Sequence, residues 1–509
     1  MRFCTTLFLS FFTFCSFLTS TSYAQEEKDY FITLWDLSKV KSTTIEFYAL
    51  TTGDVNYTWE TIPADESGSG KFNVLDKEAI IANLPSKQIK LKLSPQNLKR
   101  FYFEFSSKPN SKLIDVPQWG SVEWTSMERA FSRCFNLNIT ATDIPNLSKV
   151  SSMKAMFEDC IKLNGPTNIN SWNTENVTNM SGMLSITKSF NQAIGNWNTQ
   201  NVTDMSWMFA RADSFNQAIG KWNTQNVKDM SRMFAYTSSF NQAIGNWNTE
   251  KVTDMGGMFS VAISFNQAIG NWNTEKVIYM VGMFYGADAF NQAIGNWNTQ
   301  NVGSMENMFY GATSFNQAIG NWNTQNVKHM GSMFEGASSF NQDIGSWNTQ
   351  NVTDMKGMLS NSGIDCKNYS NTLIGWANNT NTAKKIVLVA EGLKYSSLAK
   401  PARDFLSKPI EDGGKGWTIS GDALSTEDCG LVAREEGEEQ SSIALYPNPA
   451  KEVLYLKNAP MDSNYSIFDG LGRLVSSGQC QNEAISIATL ASGLYSLRLG
   501  NKQYTFVKE

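Results

Sequence analysis

His329 is the single histidine of this 509-residue chain. Ser-His and Cys-His nucleophilic pairs, multi-histidine zinc sites and switching through histidine clusters are therefore all disfavoured. Carboxylates are plentiful, with 47 Asp and Glu against 42 Lys and Arg, and a pair of them could hydrolyse a polysaccharide by acid–base chemistry. They recur, however, at equivalent positions of a repeat, whereas a catalytic site needs one singular, pre-organised set. The enzyme reading ranks last on that ground, so no catalytic, cofactor-binding or metal-binding residue is assigned and no cofactor is expected. The near balance of charge, net −5, also argues against a basic nucleic-acid binder. Cysteine offers no metal motif either, because no CxxC occurs.

The ends of the chain address its destination. Arg2, the apolar run from Leu7 to Leu18 and Ser22-Tyr23-Ala24 follow the order of a cleaved secretory signal over 1–24. Cys4 and Cys15 leave with it, and Cys134, Cys160, Cys366, Cys429 and Cys480 remain. No later stretch is apolar enough to span a membrane, which takes about 20 residues. The mature chain is expected to be secreted or held at the cell surface without a transmembrane helix.

A 25-residue period fills the middle. Eight tryptophans from Trp172 to Trp347 and eight methionines from Met180 to Met355 each recur at that interval. Looser copies at Trp124 to Phe131 and Val150 to Phe157 bring the count to about ten units between Trp119 and Gly363. Met205, Met208, Phe209 and Ala212 stand at the spacing of a short helix's apolar stripe. Ile194 to Val202 in front of them carries the alternation of a strand. The expected fold is therefore a leucine-rich-repeat-like α/β solenoid, with the Trp and Met columns as its core.

If those columns face inward, contacts belong to what varies outside. Trp207, Tyr236, Tyr285 and Tyr310 form an exposed aromatic set with two readings, free variation on a solvated surface or candidate contacts for a ligand. Asn198, Asn223, Asn248, Asn273, Asn298 and Asn323 form a polar column with two readings, a structural ladder between units or a face for a glycan or protein. His329 occupies a separate column, which holds Asp204, Asp229 and Asp254 in other units, and reads as an exposed variant. Cys134 and Cys160 occupy the same place in adjacent units, which leaves a disulfide and two buried thiols equally open.

Around the repeats, residues 25–116 carry evenly spaced alternating segments that read as a β-sandwich. Residues 366–425 read as a closing cap, 426–442 as an acidic linker, and 443–509 as a small β-sandwich domain. A passive spacer, whose near-identical units serve length alone, is the alternative to a binding protein.

Asn-Trp-Asn-Thr, Val-Thr-Asp-Met and Met-Phe, repeated over 117–365, resemble the BspA-like leucine-rich repeats of bacterial surface proteins. The segment ahead of them is similar to a polycystic-kidney-disease-like domain, although Trp59 is followed by Glu60-Thr61 instead of that family's usual turn. The cap resembles that of the same repeat family. Ser396 stands where that likeness implies a cysteine, which leaves Cys366 either unpaired or joined to Cys429. Tyr446-Pro447-Asn448-Pro449, Gly493-Leu494-Tyr495 and the terminal Lys508-Glu509 resemble a type A sorting domain of the type IX secretion system. The resemblances imply a Gram-negative source, export through the outer-membrane machinery of that pathway, and adhesion to an extracellular protein or glycan.

Overall fold

The computed structural model describes residues 27–104, 110–426, 429–431, 444–446, 448–457, 464–469, 473–480, 484–499 and 502–509. It divides into two compact units between Leu431 and Val432. The expected leader at 1–24 and most of the acidic stretch at 426–442 lie outside the described residues.

The first unit opens with β1 (Phe31–Asp36), β2 (Ile45–Thr51), β3 (Val55–Ile62), β4 (Ser67–Phe72), β5 (Leu75–Ile81), β6 (Gln88–Leu93), β7 (Leu98–Tyr102) and β8 (Leu113–Gln118). They make two antiparallel sheets, ordered β4-β3-β6-β1-β8 and β5-β2-β7. In β6, Ile89, Leu91 and Leu93 are buried while Gln88, Lys90 and Lys92 are not, the period of a strand with one face inward. Phe31 from one sheet meets Phe101 from the other at 5.4 Å. The same two rings reach Trp124 and Phe131, at 5.1 and 5.9 Å, so the core runs unbroken into the first repeats.

From Trp119 to Gly363 the expected strand-and-helix units do not form. This stretch contains no α-helix, one 3-10 turn at Ile169–Ser171, and no strand. Pairing between units is limited to isolated parallel bridges, such as Asp204 with Asp229 and Asp229 with Asp254. The α/β leucine-rich-repeat solenoid is thereby overturned. Regular structure in this chain consists of small, mainly antiparallel sheets with few helices.

Hydrogen bonding explains the difference. The amides of Met208, Ala210 and Ala212 bond back three residues, to Met205, Trp207 and Phe209. Those of Met205, Trp207, Phe209 and Arg211 instead reach forward to Asp229, Ser231, Met233 and Ala235 in the next unit. A helix needs each amide to bond four residues back, and here every second one is committed to a neighbour. Trp207 and Arg211 are also left-handed, both at φ 59°, which turns the chain where a helix would continue. The apolar period is thus produced by consecutive four-residue turns.

Those turns stack in register on their buried columns. Trp197 and Trp222 lie 6.2 Å apart with rings within 5° of parallel, and Phe209 and Phe234 5.5 Å apart. Trp222 Nε1 donates to Ile194 O at 3.1 Å, which satisfies the indole inside the core. Each buried Phe or Met contributes about 1.5–3 kcal/mol relative to exposure, but only with a neighbouring unit to cover it.

Both ends of the stack are closed. Asp143 accepts from Trp119 N and Gly120 N at the first end. At the other, Thr324 Oγ1 still donates to the next unit at Asn348 O, 2.9 Å away, while buried Thr349 Oγ1 has no partner, because a helix follows where the next unit would lie. That helix, α1 (Cys366–Asn378), is N-capped by Asp365, which accepts from Asn368 N at 2.8 Å. It packs so closely that a Cβ on Gly375 would fall 2.4 Å from Gly345 O. Beyond it come β9 (Val387–Val389), β10 (Lys394–Tyr395), α2 (Lys400–Ser407), β11 (Thr418–Ser420) and β12 (Ala423–Leu424). A bridge from Met355 to Leu388 in β9 carries the stack into this cap. Arg403 binds buried Asp422 through two nitrogens, at 2.8 and 2.6 Å, and Cys366 is disulfide-bonded to Cys429.

The second unit consists of β13 (Ala444–Tyr446), β14 (Val453–Lys457), β15 (Asn464–Phe468), β16 (Leu474–Gln479), β17 (Ala484–Ser486), β18 (Gly493–Leu499) and β19 (Lys502–Lys508). Its antiparallel sheets run β13-β14-β17 and β16-β15-β18-β19. Leu454, Ile467, Ile485, Leu497 and Phe506 form a core of their own.

Candidate functional site

The turn that follows each repeat methionine presents one face of the stack. Its second and sixth residues adopt positive φ, and most units place Gly or a small polar residue at the second, as at Gly182, Gly257, Asn307 and Ser332. The first unit departs from this with Arg129 and Arg133, and two adjacent later units depart with an aromatic as well as an arginine. Trp207 and Arg211 hold the two positions in one, and Arg232 (φ 55°) and Tyr236 (φ 60°) hold them in the next. Large side chains are uncommon in the left-handed region and cost of order 1–3 kcal/mol there. These two successive units are the ones that combine an aromatic and an arginine at the two positions.

The four residues pair across the units. The Arg232 guanidinium lies 4.6 Å from the Trp207 ring centroid and that of Arg211 4.8 Å from the Tyr236 ring centroid. Both rings remain 44% exposed. Neither guanidinium has a carboxylate within ion-pair distance among the described residues. Sequence reasoning selected the two rings and missed the two arginines. The signal was available, since residues 25 apart are neighbours and each aromatic faces an Arg at that interval.

Tyr285 and Tyr310 are brought together separately, as parallel rings 4.8 Å apart. They are half-buried, and no ring contact joins them to Trp207 or Tyr236 among the described residues. Ile278, Tyr279 and Val281 lie exposed in the same unit as Tyr285.

The asparagine column does not bond from unit to unit through its side chains. Asn198 Oδ1 accepts from Gln200 N, and Asn223 Oδ1 from Gln225 N, two residues on. Asn248, Asn273, Asn298 and Asn323 repeat the arrangement, so these oxygens shape their own turns. The ladder between units runs through a different column. Asn216 Oδ1 accepts from Asn241 N at 3.0 Å and Gln242 Nε2 at 2.9 Å, and Asn241 Oδ1 repeats this with Asn266 and Gln267.

Charge on the face is uneven. Burial raises the Asp254 carboxyl above the usual aspartate range; the Gly256 N–H opposes this, Asp229 adds to it and Arg232 opposes it. His329 is exposed and bridges Ser304 and Asp354 in the same column. Near the cap, Glu306, Glu335, Asp354, Lys356 and Glu391 line a groove of about 680 Å³. No group of three or more His, Cys, Asp or Glu is placed to hold a metal ion among the described residues.

Cys134 and Cys160 are free and fully buried, so the disulfide considered for them does not form. Cys160 Sγ donates to Phe131 O at 3.0 Å, and burial pushes both thiols well up.

In the second unit the expected sorting residues gather where the two ends of that unit meet. Asn448 Oδ1 accepts from Val507 N at 2.8 Å, and Ala450 N donates to Val507 O at 2.8 Å. Gly493 pairs with Lys508 and Tyr446 with Tyr455. Tyr495 stacks on Phe506 at 5.6 Å and donates its hydroxyl to Ala491 O. Pro447 lies outside the described residues, and Pro449 is exposed.

Two family descriptions match the chain. One, Mycoplasma protein of unknown function, DUF285, matches three overlapping segments, 125–242, 214–310 and 289–391, which together cover more than half of the residues. The other, Secretion system C-terminal sorting domain, matches 444–509. No curated protein matches. The sorting domain makes this an exported protein, secreted or displayed on the cell surface through the type IX machinery. No helix among the described residues is long and apolar enough to cross a membrane.

Proposed function

Since the chain belongs to the family described as Mycoplasma protein of unknown function, DUF285, a description that assigns no activity, we propose that it is a non-catalytic binding protein of the cell exterior. Its stacked turns present a recognition face for an extracellular protein or glycan. The observation that carries this reading is the contrast between columns. Trp, Met, Phe and Ile columns repeat almost unchanged and are buried, whereas the second and sixth residues after each repeat methionine change from unit to unit on the outside. A cluster of two exposed rings and two guanidiniums stands there at backbone angles that ordinarily favour glycine. Exposed aromatic and Arg side chains of this kind dominate binding energy at interfaces. Resemblance to BspA-like surface proteins supports adhesion as the use of such a face.

The test is binding of the purified full chain to arrays of extracellular proteins and polysaccharides. At least one specific ligand is expected, with affinity reduced by Trp207→Ala and Tyr236→Ala. Absence of any ligand, with unchanged attachment after deletion of three units, would favour a passive spacer.

A further inference from the structure

Arg211 and Arg232 are held differently from Lys71, Lys87 and Arg403, which carboxylates engage at 2.6–2.7 Å. Arg211 and Arg232 lie over rings, without a carboxylate within ion-pair distance among the described residues. Asp254 is the acidic group whose charge is coupled to Arg232. Stacking fixes the plane of a guanidinium and leaves its edge donors available, an arrangement suited to two-pronged binding of a carboxylate.

Trp207 supplies a surface beside these donors. Arg232 approaches it from the following unit. In the preceding unit the equivalent position is Gly182, where an added Cβ would find no atom within 4 Å. That flank of the indole is therefore open, over a residue without a side chain. An indole bordered by open space and a guanidinium can pack against the C–H face of a sugar ring while the arginine takes an acidic substituent.

We infer that Trp207, Arg211, Arg232 and Tyr236 form a subsite for a uronic-acid-bearing glycan. The inference rests on the binding function proposed above and names its ligand class. Asp204 and Asp229, in the same two units, penalise a densely charged polyanion. They favour a chain in which carboxylates are separated by neutral sugars.

The full chain is titrated with hyaluronan oligosaccharides, which carry one carboxylate per disaccharide, with their methyl esters, and with poly-L-glutamate. The free acid is expected to bind in a salt-sensitive manner, and its ester about tenfold or more weaker. The double variant Arg211→Gln/Arg232→Gln should lose about as much. Arg211→Lys/Arg232→Lys should recover only part, since lysine keeps the charge without the fork. Trp207→Ala should weaken hyaluronan selectively, and unchanged urea midpoints verify that each variant is folded. Poly-L-glutamate binding as tightly as hyaluronan, or variants that bind like the parent, would overturn the ligand class. Failure of hyaluronan alongside a positive array result would overturn the subsite and leave the binding function standing; failure of both would remove both.

Discussion

Arg232 sits one 25-residue unit after Trp207 and sets its guanidinium 4.6 Å from the indole centroid, while Trp207 itself holds φ 59°. Left-handed backbone costs a bulky residue about 1–2 kcal/mol, and an exposed cation–π contact returns about 0.5–1 kcal/mol. Trp207→Gly is therefore expected to leave stability within about 1 kcal/mol of the parent or to raise it. A urea titration checks this, and a loss of several kcal/mol would show that the ring supports the fold.

Buried indoles should behave in the opposite way. Trp272 is 4% exposed, and its Nε1 donates to Ile244 O at 3.2 Å. Trp272→Ala opens a cavity and removes that bond, although Ile244 O still accepts from Trp247 N, so a loss of about 3–5 kcal/mol is expected in the same titration. A cost below that of Trp207→Gly would contradict the core described here.

Thiol reactivity should track unfolding. Cys134 and Cys160 are free and buried, and burial raises both away from the thiolate form that reacts. Ellman's reagent is expected to leave them unmodified in the native chain and to label them once urea unfolds it. Rapid native labelling of Cys134 or Cys160 would mean that the stack opens locally.

The disulfide between Cys366 and Cys429 spans 63 residues of sequence and ties the start of α1 to a residue just past the cap. Cys366→Ser/Cys429→Ser is expected to cost about 2–4 kcal/mol. Proteolysis of the variant should begin within 366–425; first cleavage inside the repeats would show that the cap does not depend on the bond.

Asp254 gives a pH signature. Its carboxyl is raised, chiefly by burial, so folding favours the protonated form. That contribution is complete below the unfolded value and is lost as pH rises through the folded one. Asp254→Asn should therefore gain stability over the parent as pH rises through that window and keep the gain at neutral pH. A constant difference across pH, measured by thermal midpoints, would contradict it.

The period, the unit count and the burial of Trp and Met columns were legible in the sequence, because they depend only on spacing and residue type. The local conformation was not. Met205, Met208, Phe209 and Ala212 satisfy a helical template, and only the forward bonds of Trp207, Phe209 and Arg211 to the following unit rule it out. Such bonds connect residues 24 apart, beyond the reach of any local pattern. The same limit hid half of the site. Trp207 and Tyr236 stand out as aromatics, whereas Arg211 and Arg232 matter only because each lies beside a ring one unit away. The asparagine ladder was expected in one column and occurs in another, since Asn198 is spent on its own turn and Asn216 is not.

Forward-reaching amides give the array a property that a globular core lacks. Each unit offers its predecessor nearly the same row of acceptors that it takes from its successor, so genetic duplication or loss of one 25-residue segment leaves every remaining junction chemically matched. The number of units can then change across generations without a folding penalty. The two units carrying Trp207, Arg211, Arg232 and Tyr236 keep their mutual contacts whatever number of units flanks them.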